Sequence, residues 1–509
     1  MATDFLCTST EPVVATKAGK LRGFRFNGIY TFYGVDYAKA ERFKQPVPVA
    51  PWEGVKDALS YGYIAYPESP DSPNGDLFVP HRFWPKSEDC LNLNVWTPTL
   101  DSNAKKAVMV WFHGGGFSSG SAVEMLAYDG HNLAADKDVV MVTVNHRLNV
   151  FGFLDVSAYG PEYANSQNAG IADLVASLQW VHDNIAAFGG DPENVTIFGQ
   201  SGGGMKVSSL MQIKAAEGLF QKAIIMSGSG PNEASLSYAS NAPIAEKMLK
   251  ELGSDNIQAL LDLEPLELQA LAKKVIGGRG GRYWGPLEND WFDHIIFRGS
   301  TENAKKIPLL IGTCIGEMGT FRFSVKNRQN LTKEEKEAVV FEKFGEEKGR
   351  ELLDLFYKAY PDHDAIDSII LDDGSRETTR MMLDLRAGDG SCASYNYVFA
   401  YDFPVDDGKA AWHCSDIPFI FRNIDRVAVC NEAEVGCRLQ EQFSTAWTNF
   451  AKTGDPNNEY MPAWEPYTKG HEVTMVIDRT CEARVDFDRE LVATHKKLEY
   501  EIEHPNMLM

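Results

Sequence analysis

Between about residues 106 and 228, hydrophobic residues gather into short unbroken runs separated by longer mixed stretches. Ala107-Val108-Met109-Val110-Trp111-Phe112, Val139 to Val144, Val195-Thr196-Ile197-Phe198 and Ala223-Ile224-Ile225-Met226 present almost no polar face, as strands covered on both sides do. Gly170 to Phe188 instead places Leu174, Leu178, Val181 and Ile185 at three- and four-residue spacing, which predicts a helix. Strands and helices alternating in this way predict an α/β fold with a mostly parallel sheet. Two later runs, Ile307 to Gly312 and Tyr395 to Phe399, read as its remaining strands. Beyond residue 230 the chain turns more helical and polar. No Pro/Gly/Ser linker, repeat, heptad or low-complexity segment divides it, so one domain over 1–509 is expected, with a largely helical insertion at roughly 231–390.

The charge balance narrows the partners. Against 71 acidic side chains stand 49 basic ones, a formal net charge of −22. Nucleic acid and anionic membranes are poor partners for such a surface, because phosphate binding requires Lys/Arg stripes. No run approaches the length of a membrane-spanning helix, and Met1 to Lys20 lacks the basic start and apolar core of a secretory signal. The final residues, Glu503 to Met509, match no retention or lipidation signal. The 8 cysteines are scattered, without CxxC pairs or metal-ligand spacing with histidine. They read as free thiols of a cytoplasmic protein, and no metal or cofactor is called for.

Chemistry enters where the Val195 to Phe198 strand runs into Gly199-Gln200-Ser201-Gly202-Gly203. This is the G-x-S-x-G elbow in its proper context, a strand before it and a helix-like segment after. The sharp turn forces the serine into strained geometry, and glycines flank it because side chains there would strike neighbouring strands. A phosphate-cradling loop would need G-x-G-x-x-G spacing or a Gly-Lys-Ser/Thr ending, and the segment has neither.

The Ala107 to Phe112 strand leads into His113-Gly114-Gly115-Gly116-Phe117. Ester hydrolysis passes through a tetrahedral oxyanion that needs N–H donors unobstructed by side chains. The amides of Gly115, Gly116 and Gly202 are the expected donors. Alone, the glycine run could be a flexible turn; an elbow on another strand of the same sheet makes it more than that.

A serine hydroxyl also needs a histidine to take its proton and a carboxylate to orient that histidine. In this fold the order is serine, acid, histidine. His363, His413, His471, His495 and His504 lie far enough downstream. His413 sits in a loop after the strand near residue 397, whereas His363 lies in a polar turn that reads as solvated and the last two fall in a charged terminal helix. Glu317 follows the strand ending at Gly312, where a catalytic crevice belongs.

Taken together, these segments resemble the type-B carboxylesterases, the cholinesterase-like branch of the α/β-hydrolases, from near residue 12 to near residue 470. Ser87-Glu88-Asp89-Cys90-Leu91-Asn92-Leu93-Asn94-Val95, Asn145-His146-Arg147-Leu148, Phe188 to Val195 and Phe450 to Pro456 all follow the family's pattern in order. The resemblance implies a Ser201–His413–Glu317 triad. It also implies Arg42–Glu88 and Arg147–Asp173 as buried structural ion pairs, with Ser227 supporting the site.

Three departures stand out. The cysteine that extracellular relatives bond to the equivalent of Cys90 is missing, which fits a reducing setting. Gln200 replaces the usual glutamate, which disfavours quaternary ammonium substrates. Gly202 replaces the usual alanine, from which a slightly looser oxyanion hole is expected. The expected activity is hydrolysis of small to medium uncharged carboxylic esters by a monomer or homodimer, with Trp84, Phe117, Trp284, Trp291 and Phe321 as candidate pocket aromatics. The rival readings are an amide, carbamate or polyphenol-ester hydrolase, a lipase, and a non-catalytic interaction protein, although such proteins usually lack the serine.

Overall fold

Burial on both faces shapes the centre of the molecule. In the computed structural model, which describes residues 4–68, 80–229, 239–277, 283–372, 374–405 and 408–504, alternate residues of one strand feed opposite cores. Val108, Val110 and Phe112 pack into one hydrophobic cluster, Met109 and Trp111 into the other. Such a strand has no polar face to show, which is why its sequence reads as an unbroken apolar run.

The main sheet has twelve strands. In chain order they are β1 (Phe5–Leu6), β2 (Phe24–Phe26), β3 (Ile29–Asp36), β4 (Asn92–Thr97), β5 (Lys106–Phe112), β6 (Val140–Val144), β7 (Gly190–Gln200), β8 (Lys222–Met226), β9 (Leu309–Cys314), β10 (Ser394–Phe399), β11 (Val473–Ile477) and β12 (Glu482–Val485). Their spatial order is β1-β2-β3-β4-β6-β5-β7-β8-β9-β10-β11-β12. The seven strands from β6 to β11 in that order are mutually parallel. Antiparallel strands complete both ends.

The predicted strands are all present, their ends moved by no more than two residues except at the start of β7. β7 begins earlier than expected, at Gly190, where Asp191, Pro192, Glu193 and Asn194 are incompletely buried and carry no apolar signal. The predicted helix is α1 (Ala169–Asn184), followed by a 3-10 turn, Ile185–Phe188, that stops at Gly189 with φ 75°. Downstream, helices Ala242–Glu251 and Pro265–Ile276 precede β9 along the chain, and Lys333–Phe344, Glu346–Ala359 and Gly374–Gly388 follow it. The start of the expected insertion, residues 231–238, lies outside the described residues, as do the C-terminal positions 505–509. No described helix is long and apolar enough to cross a membrane.

Register brings the motifs together. Phe112 pairs with Gly199, so the glycine run after β5 and the elbow after β7 leave the sheet side by side. Met226 pairs with Gly312 and Cys314 with Phe399, which sets the turns after β8, β9 and β10 along the same edge. Of the two expected ion pairs, Arg147 grips Asp173 through Nε at 2.9 Å and Nη2 at 2.6 Å, both side chains buried. Arg42 also holds Glu88 through two donors, but Glu88 remains 28% exposed, so this pair is only partly buried.

Candidate active site

At the end of β7 the backbone turns sharply. Ser201 adopts φ 58° and ψ −125°, a region unfavourable for any side-chain-bearing residue. Its N–H donates to the Met226 carbonyl at 2.8 Å, and its own carbonyl accepts from Met205 in the helix that follows, α2 (Gly202–Met211). The turn is possible because its neighbours lack side chains. A Cβ on Gly203 would collide with the Phe112 carbonyl at the end of β5, and one on Gly228 would strike the Ser201 carbonyl. These are the strand-end collisions that the elbow pattern anticipates.

The glycine run after β5 lies directly against α2. Gly115 and Gly116 take φ 82° and 62°. A Cβ on Gly202 would overlap the backbone nitrogen, carbonyl oxygen and Cα of Gly116. This corrects the expectation of a looser hole. The volume that a methyl group would occupy is filled by the Gly116 backbone, so the missing side chain leaves no empty space there.

Glu317 and His413 come together from two different strand ends. Imidazole Nδ1 hydrogen-bonds Glu317 Oε2, and the His413 N–H donates to the Glu317 carbonyl at 3.2 Å. The other carboxylate oxygen accepts from the Cys314 N–H at 2.8 Å. Glu317 and Trp412 also form a parallel bridge, so the two turns are stitched by backbone as well as by side chains. Burial lowers the affinity of His413 for a proton, but the Glu317 charge and hydrogen bond outweigh it, and the pKa is raised above the usual histidine value.

Ser201 is adjacent to this pair through its chain neighbour. Gln200 Nε2 lies 3.4 Å from His413 Nδ1 and 3.3 Å from Nε2, near-equal distances that place the amide over the ring face. Gln200 Oε1 accepts from the Cys414 thiol at 3.1 Å. Among the described residues Ser201 Oγ has no hydrogen-bond partner, so the Ser201–His413 bond of a closed triad is not made in this structure. Such bonds are often long in unliganded enzymes and tighten around substrate.

Other sequence expectations fare differently. His363 is not solvated: its side chain is 5% exposed, with Nε2 at 2.9 Å from Asp478 and Nδ1 near Asp367 and Asp402. Burial opposes its charge, but the surrounding carboxylates raise its pKa to about 10. Its polar flanks misled because Phe356 and Tyr360, on the preceding helix, pack their rings against it. His495 is buried and His471 pairs with Glu465. Among the proposed pocket aromatics, Trp284 is fully buried and donates to Glu68, and Phe117 is core against Phe153. Trp84 and Trp291 are half-buried, and Phe321 is exposed. Ser227 is buried, its N–H donates to the Gly312 carbonyl, and its Oγ has no partner among the described residues.

Two nearby groups went unnoticed in the sequence. Asp416, three residues after His413, is buried, accepts from Tyr397 Oη at 2.8 Å, and is pushed up to about 7 by burial. Lys206 is fully buried in α2 and donates to the His113 carbonyl at 2.9 Å. A lysine between Met205 and Val207 on a helix with no exposed face was the available signal.

A parallel sheet crossed by a nucleophile elbow, with a glycine loop beside it and a carboxylate–imidazole pair across it, defines an α/β-hydrolase. The chain belongs to the carboxylesterase family, whose model matches residues 10–495. It is 34% identical to para-nitrobenzyl esterase of Bacillus subtilis (strain 168), across 92% of this chain and 95% of that protein. It is 32% identical to phenmedipham hydrolase of Pseudarthrobacter oxydans, across 94% and 98%. Among solved structures, an esterase from anaerobic Clostridium hathewayi that can hydrolyze aliphatic aromatic polyesters superposes with TM-score 0.93 at 45% identity, covering 98% of this chain and all of that one. The protein is a carboxylic ester hydrolase.

Proposed function

We propose that the reaction proceeds through an acyl-enzyme on Ser201. His413 takes the hydroxyl proton as Oγ attacks the ester carbonyl, and Glu317 holds the imidazole and stabilises its charge. The amides of Gly115, Gly116 and Gly202 receive the oxyanion. The alcohol leaves with the proton carried by His413. Water then attacks the acyl group, with His413 acting again as base, and the acid is released. The Glu317–His413 pair beside the strained Ser201 turn is the observation that carries this reading. The scheme uses no metal or cofactor.

The substrates are small to medium uncharged esters. Gln200, a neutral amide, covers the imidazole where a carboxylate would attract cations. The likeness to the Clostridium esterase brings aryl esters and aliphatic aromatic polyester fragments into the same class. We place the protein in the cytoplasm as a monomer or homodimer, on the free state of its cysteines, and read the chain as one hydrolase domain with a largely helical insertion.

The test is labelling with an organophosphonate followed by peptide mapping, together with rates on short-chain, long-chain, aryl and amide substrates. A single adduct on Ser201 and preference for short or aryl esters are expected. An unreactive serine in folded protein overturns the nucleophile, and faster turnover of long-chain emulsions overturns the substrate class.

A further inference from the structure

Lys206 has no exposed surface. A lysine ammonium in such a place gives up its hydration and needs a reason to be there. Its one hydrogen bond among the described residues is Nζ to the carbonyl oxygen of His113, at 2.9 Å. That carbonyl opens the glycine loop, and Lys206 stands on α2 little more than one turn after Ser201.

The loop is anchored carbonyl by carbonyl. His113 Nδ1 donates to the Gly114 oxygen at 2.9 Å, and Ser119 N–H donates to the Gly115 oxygen at 2.9 Å. In a trans peptide the C=O of one residue and the N–H of the next point in opposite directions. Holding the Gly114 oxygen therefore aims the Gly115 N–H, and holding the Gly115 oxygen aims the Gly116 N–H. Lys206 fixes the first peptide of this series, and the imidazole that fixes the second belongs to the same residue, His113.

We infer that Lys206 is a positioning residue for the oxyanion hole, acting through the His113 carbonyl to fix the direction of the glycine amides. This rests on the acyl-enzyme reading above. The groups facing Lys206 are few. His113 and His146 stack with ring centroids 5.1 Å apart, and burial keeps both well below the ordinary histidine value. Among the described residues, Glu124 is the one carboxylate acting on the lysine. Burial lowers Lys206 to about 7 against the pull of Glu124, and burial raises Glu124 to about 7.

The experiment compares wild type with Lys206→Met, counting active sites by organophosphonate titration. The expected result is kcat per titrated site lower by on the order of 10- to 100-fold, with KM within about twofold. A merely structural lysine would lower melting temperature or the titratable fraction and leave kcat per site unchanged, and that result overturns the inference. Should Lys206→Met fail to fold, Glu124→Gln serves instead. Loss of the carboxylate makes the ammonium easier to deprotonate, so the alkaline limb of kcat moves to lower pH; profiles that overlay wild type overturn the inference. Turnover by wild type without any adduct at Ser201 is a different failure, which defeats the nucleophile assignment first and this inference with it.

Discussion

His413 is bound to Glu317 twice, once from ring Nδ1 to the carboxylate and once from its own N–H to the Glu317 carbonyl at 3.2 Å. The orientation of the imidazole is thus set by main chain and side chain together. Removing the carboxylate charge leaves the backbone link intact. Glu317→Gln is therefore expected to fold normally while losing kcat by on the order of 10³- to 10⁴-fold. Circular dichroism and steady-state kinetics on the same preparation check this, and near-full activity would remove Glu317 from the mechanism.

In the proposed mechanism the same pair sets the acid limb. His413 must be neutral to accept a proton, and its pKa is raised by Glu317 against burial. Ester hydrolysis should fall as pH drops through a value above the ordinary histidine pKa of about 6.5. In Glu317→Gln the residual activity should show this limb at lower pH. A kcat/KM profile of both proteins measures the two positions.

Ser201→Ala should abolish turnover, by on the order of 10⁶-fold in kcat, without loss of structure. Ser201 is half-buried, and its Oγ makes no hydrogen bond among the described residues that the fold would lose. Matched thermal melts with absent turnover are the expected pair of readings; measurable burst kinetics in the variant would contradict them.

Gly202→Ala probes the close approach of Gly116. In this protein the added methyl group overlaps the Gly116 backbone. The loop must move to admit it, so kcat/KM should fall by roughly 10²-fold, comparable to the loss of one oxyanion donor. An unaltered rate constant would mean that the loop yields without cost.

A prediction about stability concerns His363. Its pKa is about 10 in the folded protein against about 6.5 for an ordinary histidine, so it binds its proton more tightly when folded. The stabilisation is complete below about pH 6.5 and is lost as pH rises through about 10. Asp402, raised to about 7 by burial, changes stability in the same direction as it ionises. His363→Leu should cost about 3–5 kcal/mol, because Asp367, Asp402 and Asp478 lose their shared cation. Chemical denaturation at pH 6 and pH 10 measures both effects, and a wild-type stability that rises over this range would refute the sign.

Much of this could be read from the chain because the parallel strands are wet on neither face. Val108 to Phe112 and Ile224 to Met226 are apolar at every position, and the motifs start where those runs stop. The antiparallel ends were harder. Phe5 is 61% exposed, and β1 and β2 are two and three residues long, too short to show a period. In the site, chemistry confined to neighbouring positions was legible, such as Gly199 to Gly203. What depended on distant residues was not. His363 read as solvent-facing because its partners Asp402 and Asp478 are remote in sequence, and the closing of Gly116 onto Gly202 joins two loops that no spacing rule connects.

Glu317, His413, Ser201 and the glycine loop each follow a different strand, and the strands are fixed to one another by the ladder. The stretches between those anchor points, such as the one from Met226 to Leu309, leave the sheet and return to it without carrying any of the four groups. Under the proposed mechanism, substrate range and bond-breaking machinery are thereby separable: lengthening or rewriting an excursion leaves the strand ends that carry the four groups in their places.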